Sequence, residues 1–186
     1  PTRDDIDADT EKNGNSDKDK TDPNTSLPEA DIKTEGCLKD LLPSDGKVTF
    51  KVDDLERHYI LHMPEGYTPA QAWPLVLALH PNGSNTGYWD STTGDRALRP
   101  LLKSKAILVI AQARVNDWRG DLPVELAYFD FALAKLKSEL CIDNSRIFSM
   151  GFSGGGSFSG VLGCHRTDIR AFAAGGAITY FDPETC

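Results

Sequence analysis

The sequence predicts an α/β fold: a doubly wound, mostly parallel sheet with an antiparallel hairpin at its N-terminal edge. Three observations predict it. Two continuously apolar runs, "WPLVLALH" (73–80) and "AILVIAQA" (106–113), suit strands buried on both faces of a parallel sheet. From residue 73 on, a helical pattern separates each predicted strand from the next. Two shorter alternating segments, "KVTFKV" (47–52) and "RHYILHM" (57–63), are joined by "DDLE" and read as a hairpin ahead of the rest.

The elements follow in order. "TGDRALRPLLKSK" carries helical spacing at Leu98, Leu101 and Leu102, with Pro100 near its start. "LPVELAYFDFALAKLKSEL" (122–140) reads as an amphipathic helix. Pro123 suits its first turn, and Leu126, Phe129, Leu133 and Leu136 share a face. "SRIFSMG" (145–151) is the next strand, "GGSFSGVLGC" the next helix, and "AFAAGGAITY" (171–180) the last strand. Such alternation implies right-handed crossovers over a parallel sheet.

Charge is distributed unevenly. Residues 1–36 hold eleven acidic and five basic side chains, −6 of the net −8. Residues 1–34 contain no aromatic residue and few aliphatics, so they cannot bury enough apolar surface to offset the entropy of ordering. We expect residues 1–35 to be a disordered acidic linker and residues 36–186 to be the folded domain. The remainder is nearly neutral and has no basic patch, so nucleic acid is not an expected partner. No apolar run reaches the roughly 18 residues of a membrane span. Oligomeric state is not legible. There is no initiator Met and no apolar signal stretch, so we expect a processed chain or a fragment.

The four cysteines, Cys37, Cys141, Cys164 and Cys186, lack metal-type spacing, and neither metal nor cofactor is expected. An even count behind a polar tail favours disulfides over buried thiols, and so an exported, extracellular protein. Three pairings are possible by counting.

The chemistry concentrates in "RIFSMGFSGGGSFSG" (146–160). A plain glycine-rich loop is one reading. A phosphate cradle is another, but a P-loop needs a Lys after its last glycine and none follows. The dinucleotide fingerprint fails as well, because Gly151-Phe152-Ser153 is the wrong order. The third reading is a nucleophile elbow, which needs a buried strand, a sharp turn and an immediate helix. Here the strand and helix both flank the turn. Ser153 would hold a strained backbone that lifts its hydroxyl above the sheet. Gly151 and Gly155 would avoid collisions at −2 and +2. The Gly154 N–H and the positive end of the new helix would face a developing oxyanion. A second donor is expected from "HPNG" after the strand 73–80. Pro81 has no N–H, so Asn82 is the first candidate and Gly83 the second.

Several stretches together resemble the secreted esterase group of the α/β-hydrolases, which holds feruloyl esterases, acetyl-xylan esterases and polyhydroxybutyrate-depolymerase-like proteins. They are "GC" (36–37), "GKVTFKVDDLERHYILHMPEGYTP", "PLVLALHPNG", "VNDWRG" and "ELCIDNSRIFSMGFSGGGSFSGVLGC". The resemblance spans about residues 36–186. It implies a serine carboxylic-ester hydrolase working through an acyl-enzyme, with Ser153 as nucleophile and the Gly154 and Asn82 N–H groups as oxyanion donors. It implies substrates among feruloyl or acetyl esters of plant polysaccharide, or polyesters; the "SGGG" form leans toward feruloyl esters. Trp118 falls in the segment that often lines the acyl pocket, although a packed core indole fits as well. Under the resemblance we expect Cys164 with Cys186, which bracket a loop from a helix end to a strand end, and Cys37 with Cys141.

One departure matters. In this fold the Asp or Glu and then the His follow the nucleophile after later strands. His165 would sit at the far end of the nucleophile helix, roughly 18 Å from Ser153 at 1.5 Å per residue. His58 and His62 belong to the hairpin, and His80 is expected to shape the oxyanion loop. We therefore expect the acid and base beyond residue 186, in a domain lacking its last strands here. A non-catalytic fold-mate that binds carbohydrate or a protein is the alternative.

Overall fold

The computed structural model describes residues 32–40 and 42–178. The acidic segment up to residue 31 and the end of the last predicted strand, residues 179–180, lie outside the described residues.

Strands β1 (Gly46–Val52) and β2 (Leu55–His62) form the expected antiparallel hairpin. They are followed by β3 (Trp73–Leu79), α1 (Gly87–Asp90), α2 (Leu98–Leu102), β4 (Ile107–Ala111), α3 (Leu122–Glu139), β5 (Ile142–Phe152), α4 (Gly154–His165) and β6 (Ala171–Gly175). One six-stranded sheet results, ordered β1-β2-β4-β3-β5-β6. β2 pairs antiparallel with β4, and all pairs from β4 to β6 are parallel. The hairpin occupies one edge, as its alternating pattern implies, and β4 is buried along its whole length.

Helices cover both faces. On one, Phe129, Leu133 and Leu136 of α3 and Phe158, Val161 and Leu162 of α4 pack on Leu75, Leu77, Ile107 and Val109. On the other, Trp89 and Leu98 pack on Ala78, Leu108 and Ile110. Burying a side chain of this size contributes about 1.5–3 kcal/mol, so these two layers dominate the stability of the sheet.

Local chemistry sets the ends of α3. The Asp121 carboxylate accepts a hydrogen bond from the Val124 N–H at 3.3 Å, and Pro123 occupies the first turn. The helix ends where Leu140 turns extended and leads into β5. The N-terminal strap is fastened at that corner. Thr34 Oγ1 donates to Leu140 O at 2.6 Å and accepts from Ile142 N–H at 2.8 Å. The Cys37–Cys141 disulfide closes the same corner, as expected. Cys164 is also disulfide-bonded, and its expected partner Cys186 lies outside the described residues.

The helical segment before β4 is shorter than its spacing predicts. Residues Gly94–Arg96 form a 3-10 turn and only Leu98–Leu102 are α-helical. Pro100 explains this. It has no N–H to reach back to Arg96, so the helix begins where that donor is not required.

Candidate active site

Strand β5 delivers Ser153 at its C-terminal end, and α4 starts at the next residue. Ser153 has φ 52° and ψ −121°, one of three non-glycine residues with positive φ among those described. That conformation costs of order 1–3 kcal/mol for a residue with a β-carbon. The surroundings enforce it. The Ser153 N–H donates to Gly175 O at the end of β6 (2.8 Å), and its carbonyl accepts from the Ser157 N–H (3.0 Å).

The glycines around it are places of close approach. A β-carbon on Gly151 would lie 2.3 Å from the Gly155 carbonyl carbon, and one on Gly155 would lie 2.3 Å from Leu79 O. One on Gly154 would lie 2.2 Å from the Asn82 side-chain amide. The end of β3, the loop after it and the first turn of α4 therefore converge on Ser153. No side chain at those three positions is compatible with that convergence.

The loop 80–86 is held by hydrogen bonds within itself and to residues 113–118. His80 is wholly buried. Its Nε2 accepts from the Ala113 N–H (3.2 Å), so Nδ1 carries the proton and donates to Pro81 O (2.8 Å). Burial pushes the His80 imidazole below its usual range, against the opposing bond to Pro81, so the ring is held neutral. With both nitrogens engaged, His80 shapes the loop and is not available as a base. Asn82 Oδ1 accepts from the Trp118 N–H (2.9 Å). The Asn82 N–H has no acceptor among the described residues. The Gly83 N–H donates to Asn116 O (2.7 Å), which removes the second candidate donor from contention.

Of the two readings of Trp118, pocket wall or packed core indole, the structure shows a buried indole. It is 1% exposed, packs on His80, Phe129 and Phe158, and donates from Nε1 to His80 O at 2.7 Å. The indole braces the loop 80–86 from below. Phe152 is exposed beside Ser153, with its ring nearly parallel to that of Tyr88 at 6.3 Å. Tyr88, Trp89, Arg96, Met150 and Phe152 are among the residues lining a cavity of about 390 Å³.

The other histidines are elsewhere. His165 closes the far end of α4. His62 pairs with Leu108 near the start of β4, toward the opposite end of the sheet from Ser153. It lies between the carboxylates of Asp45 (3.2 Å) and Asp90 (2.7 Å) in a cavity of about 750 Å³ whose lining shares no residue with the elbow. His58 lies within β2.

Sequence reasoning missed Gln112, Asn116 and Glu125, which hold the loop after β4. Asn116 has φ 61°. The signal for Glu125 was a carboxylate on the apolar side of a helix, and it is matched by Arg57 on β2. Arg57 Nη2 donates to Glu125 Oε2 at 2.6 Å, and each side chain is 2% exposed.

The sheet order, helices on both faces and a strained serine between β5 and α4 define an α/β-hydrolase. No protein-family model matches the chain. It is similar to feruloyl esterase C of Emericella nidulans, 30% identical over 134 residues, covering 68% of this chain and 49% of that protein. It is likewise similar to feruloyl esterase D of Neurospora crassa, 30% identical over 151 residues, covering 75% and 52%. The chain spans about half the length of these curated relatives. A solved ferulic acid esterase superposes with a TM-score of 0.60 at 17% identity, over 75% of this chain and 61% of that one. An acylaminoacyl peptidase from Pyrococcus horikoshii superposes with a TM-score of 0.55 at 17% identity, over 74% and 24%. Within the α/β-hydrolases, these likenesses support the carbohydrate-esterase group that includes the feruloyl esterases. Among the described residues, no helix is long and apolar enough to cross a membrane.

Proposed function

We propose that this chain supplies the nucleophile and oxyanion donors of a serine carboxylic-ester hydrolase that acts, outside the cell, on hydroxycinnamoyl esters of plant polysaccharide. Ser153 Oγ attacks the acyl carbon, and the N–H groups of Asn82 and Gly154 receive the developing oxyanion. The ester C–O bond breaks, the alcohol leaves with a proton, and water then releases the acid from Ser153. Neither His80, with both ring nitrogens engaged, nor His165, at the far end of α4, is placed to take the Ser153 proton.

The observation that carries the reading is the backbone of Ser153, strained at φ 52° between two glycines that admit no side chain. The aromatic cavity beside Phe152 and the feruloyl esterase relatives support an aromatic acyl group.

A fluorophosphonate probe with peptide mapping tests the reading on the full-length protein. We expect a single adduct on Ser153 and hydrolysis of methyl ferulate above that of 3-hydroxybutyrate oligomers. A folded protein with no adduct on Ser153 would refute the esterase reading and favour a binding role.

A further inference from the structure

Gln112 is the first residue past β4 and is 8% exposed. Its side-chain amide reaches both ends of the loop 80–86. Oε1 accepts from the Thr86 N–H at 3.0 Å. Nε2 donates to Ala113 O and to Asn116 Oδ1, each at 2.9 Å, and stands 3.3 Å from His80 Nε2. The main chain of Gln112 is held as firmly. Its N–H donates to Tyr128 Oη at 3.3 Å, and its carbonyl accepts from Arg57 at 3.1 Å.

The two residues that Gln112 orients complete the brace. Ala113 fixes the His80 ring, and Asn116 O receives the Gly83 N–H. Asn82 lies between these two anchored points, and its side chain is tied to Trp118 of the same supporting loop. Gln112 is therefore the hub through which the rigid interior (Arg57, Glu125, Tyr128) sets the position of the Asn82 N–H. The amide is suited to this because one end accepts and the other donates twice. A carboxylate of the same shape would turn an acceptor toward Ala113 O, Asn116 Oδ1 and His80 Nε2.

We propose that Gln112 is a positioning residue for the oxyanion hole: it determines where the Asn82 N–H points relative to Ser153. The inference rests on the esterase reading above. It requires that loss of the Gln112 contacts weaken the transition state and leave ester binding intact, because the ground-state carbonyl draws little on the oxyanion donors.

The test uses Gln112→Glu and Gln112→Met in the full-length protein, with Ser153→Ala as control and methyl ferulate as substrate. Rates are normalised to folded protein by thermal denaturation. A misplacement of about 1 Å can cost 10²-fold, so we expect kcat to fall on the order of 10- to 100-fold while KM stays within about twofold. The rate of Ser153 phosphonylation should fall in parallel, since that adduct uses the same donors. If Ser153→Ala is inactive but both Gln112 variants keep wild-type kcat per folded molecule, the positioning role is overturned and the esterase reading stands. If Ser153→Ala retains hydrolysis, both are overturned. Insolubility of both Gln112 variants, or a rise in KM with kcat unchanged, also overturns the positioning role.

Discussion

The α-carbon of Gly155 lies against the carbonyl oxygen of Leu79, so close that a β-carbon would stand 2.3 Å from it. A β-carbon on Gly151 would stand at the same distance from the carbonyl carbon of Gly155. Alanine at either position forces α4 away from the sheet. We expect Gly151→Ala and Gly155→Ala each to cost about 1–3 kcal/mol or more by chemical denaturation. Gly175→Ala is the control: its nearest contacts, 3.4 Å to Phe152 and 3.5 Å to Gly151 O, are ordinary. Equal stabilities for all three would refute the packing account.

Ser153 stores strain that glycine would release. With φ 52° and ψ −121°, its backbone suits a residue without a β-carbon. Ser153→Gly should therefore be more stable than Ser153→Ala by about 1–3 kcal/mol. Both lose the hydroxyl, so the comparison isolates the backbone. A stability difference near zero would mean that the strain is not stored at this residue.

The Arg57–Glu125 pair is buried, and Arg57 also lies over the Tyr128 ring at 4.2 Å. Glu125 Oε1 accepts from the Arg114 N–H at 2.9 Å, which ties the pair to the loop after β4. Removing one partner leaves a buried charge. Arg57→Met or Glu125→Leu alone should cost about 3–5 kcal/mol, and the double replacement Arg57→Met/Glu125→Leu should cost less than the sum of the single replacements. Urea denaturation of the four proteins measures the coupling, and strict additivity would refute it.

Stability should fall on mild acidification. Burial lowers the His80 imidazole, against its bond to Pro81 O. Burial, and then Lys47 and Arg57, lower that of His58 against an opposing pull from Glu56. The unfolded chain takes up these protons near pH 6.5, at histidine's ordinary value of about 6.5, and the folded chain resists them. The contribution is thus fully present above about pH 6.5 and is lost as pH falls through the lower folded values, by at most about 1.4 kcal/mol per pH unit for each ring. Melting temperatures between pH 7.5 and 5 should decline, and Gln at position 58 should flatten the decline. A melting temperature that rises on acidification would contradict the sign.

The same two histidines mark how far the sequence could be read. Residues 57–63 alternate apolar and polar, which was enough to assign the hairpin. Residues 73–80 and 106–113 are uninterrupted apolar runs, which was enough to assign central parallel strands. The elbow was legible because its constraint is local. The backbone of Ser153 and the missing β-carbons at Gly151 and Gly155 are properties of consecutive residues, and their spacing expresses them directly.

What the tertiary structure decided depends on distant partners. Trp118 fitted a pocket wall or a core indole equally by sequence, and its bond to His80 O, 38 residues away, settled the matter. Gln112 carried no signal, because its worth lies in Thr86 and His80 across a chain separation of 26 and 32 residues. Glu125 sits on an apolar helix face, and the partner that makes sense of it, Arg57 on β2, is 68 residues away. Hydrophobic periodicity and backbone restriction belong to single segments, so sequence determines them. The pairing of buried polar groups belongs to two segments at once, and only packing chooses the second.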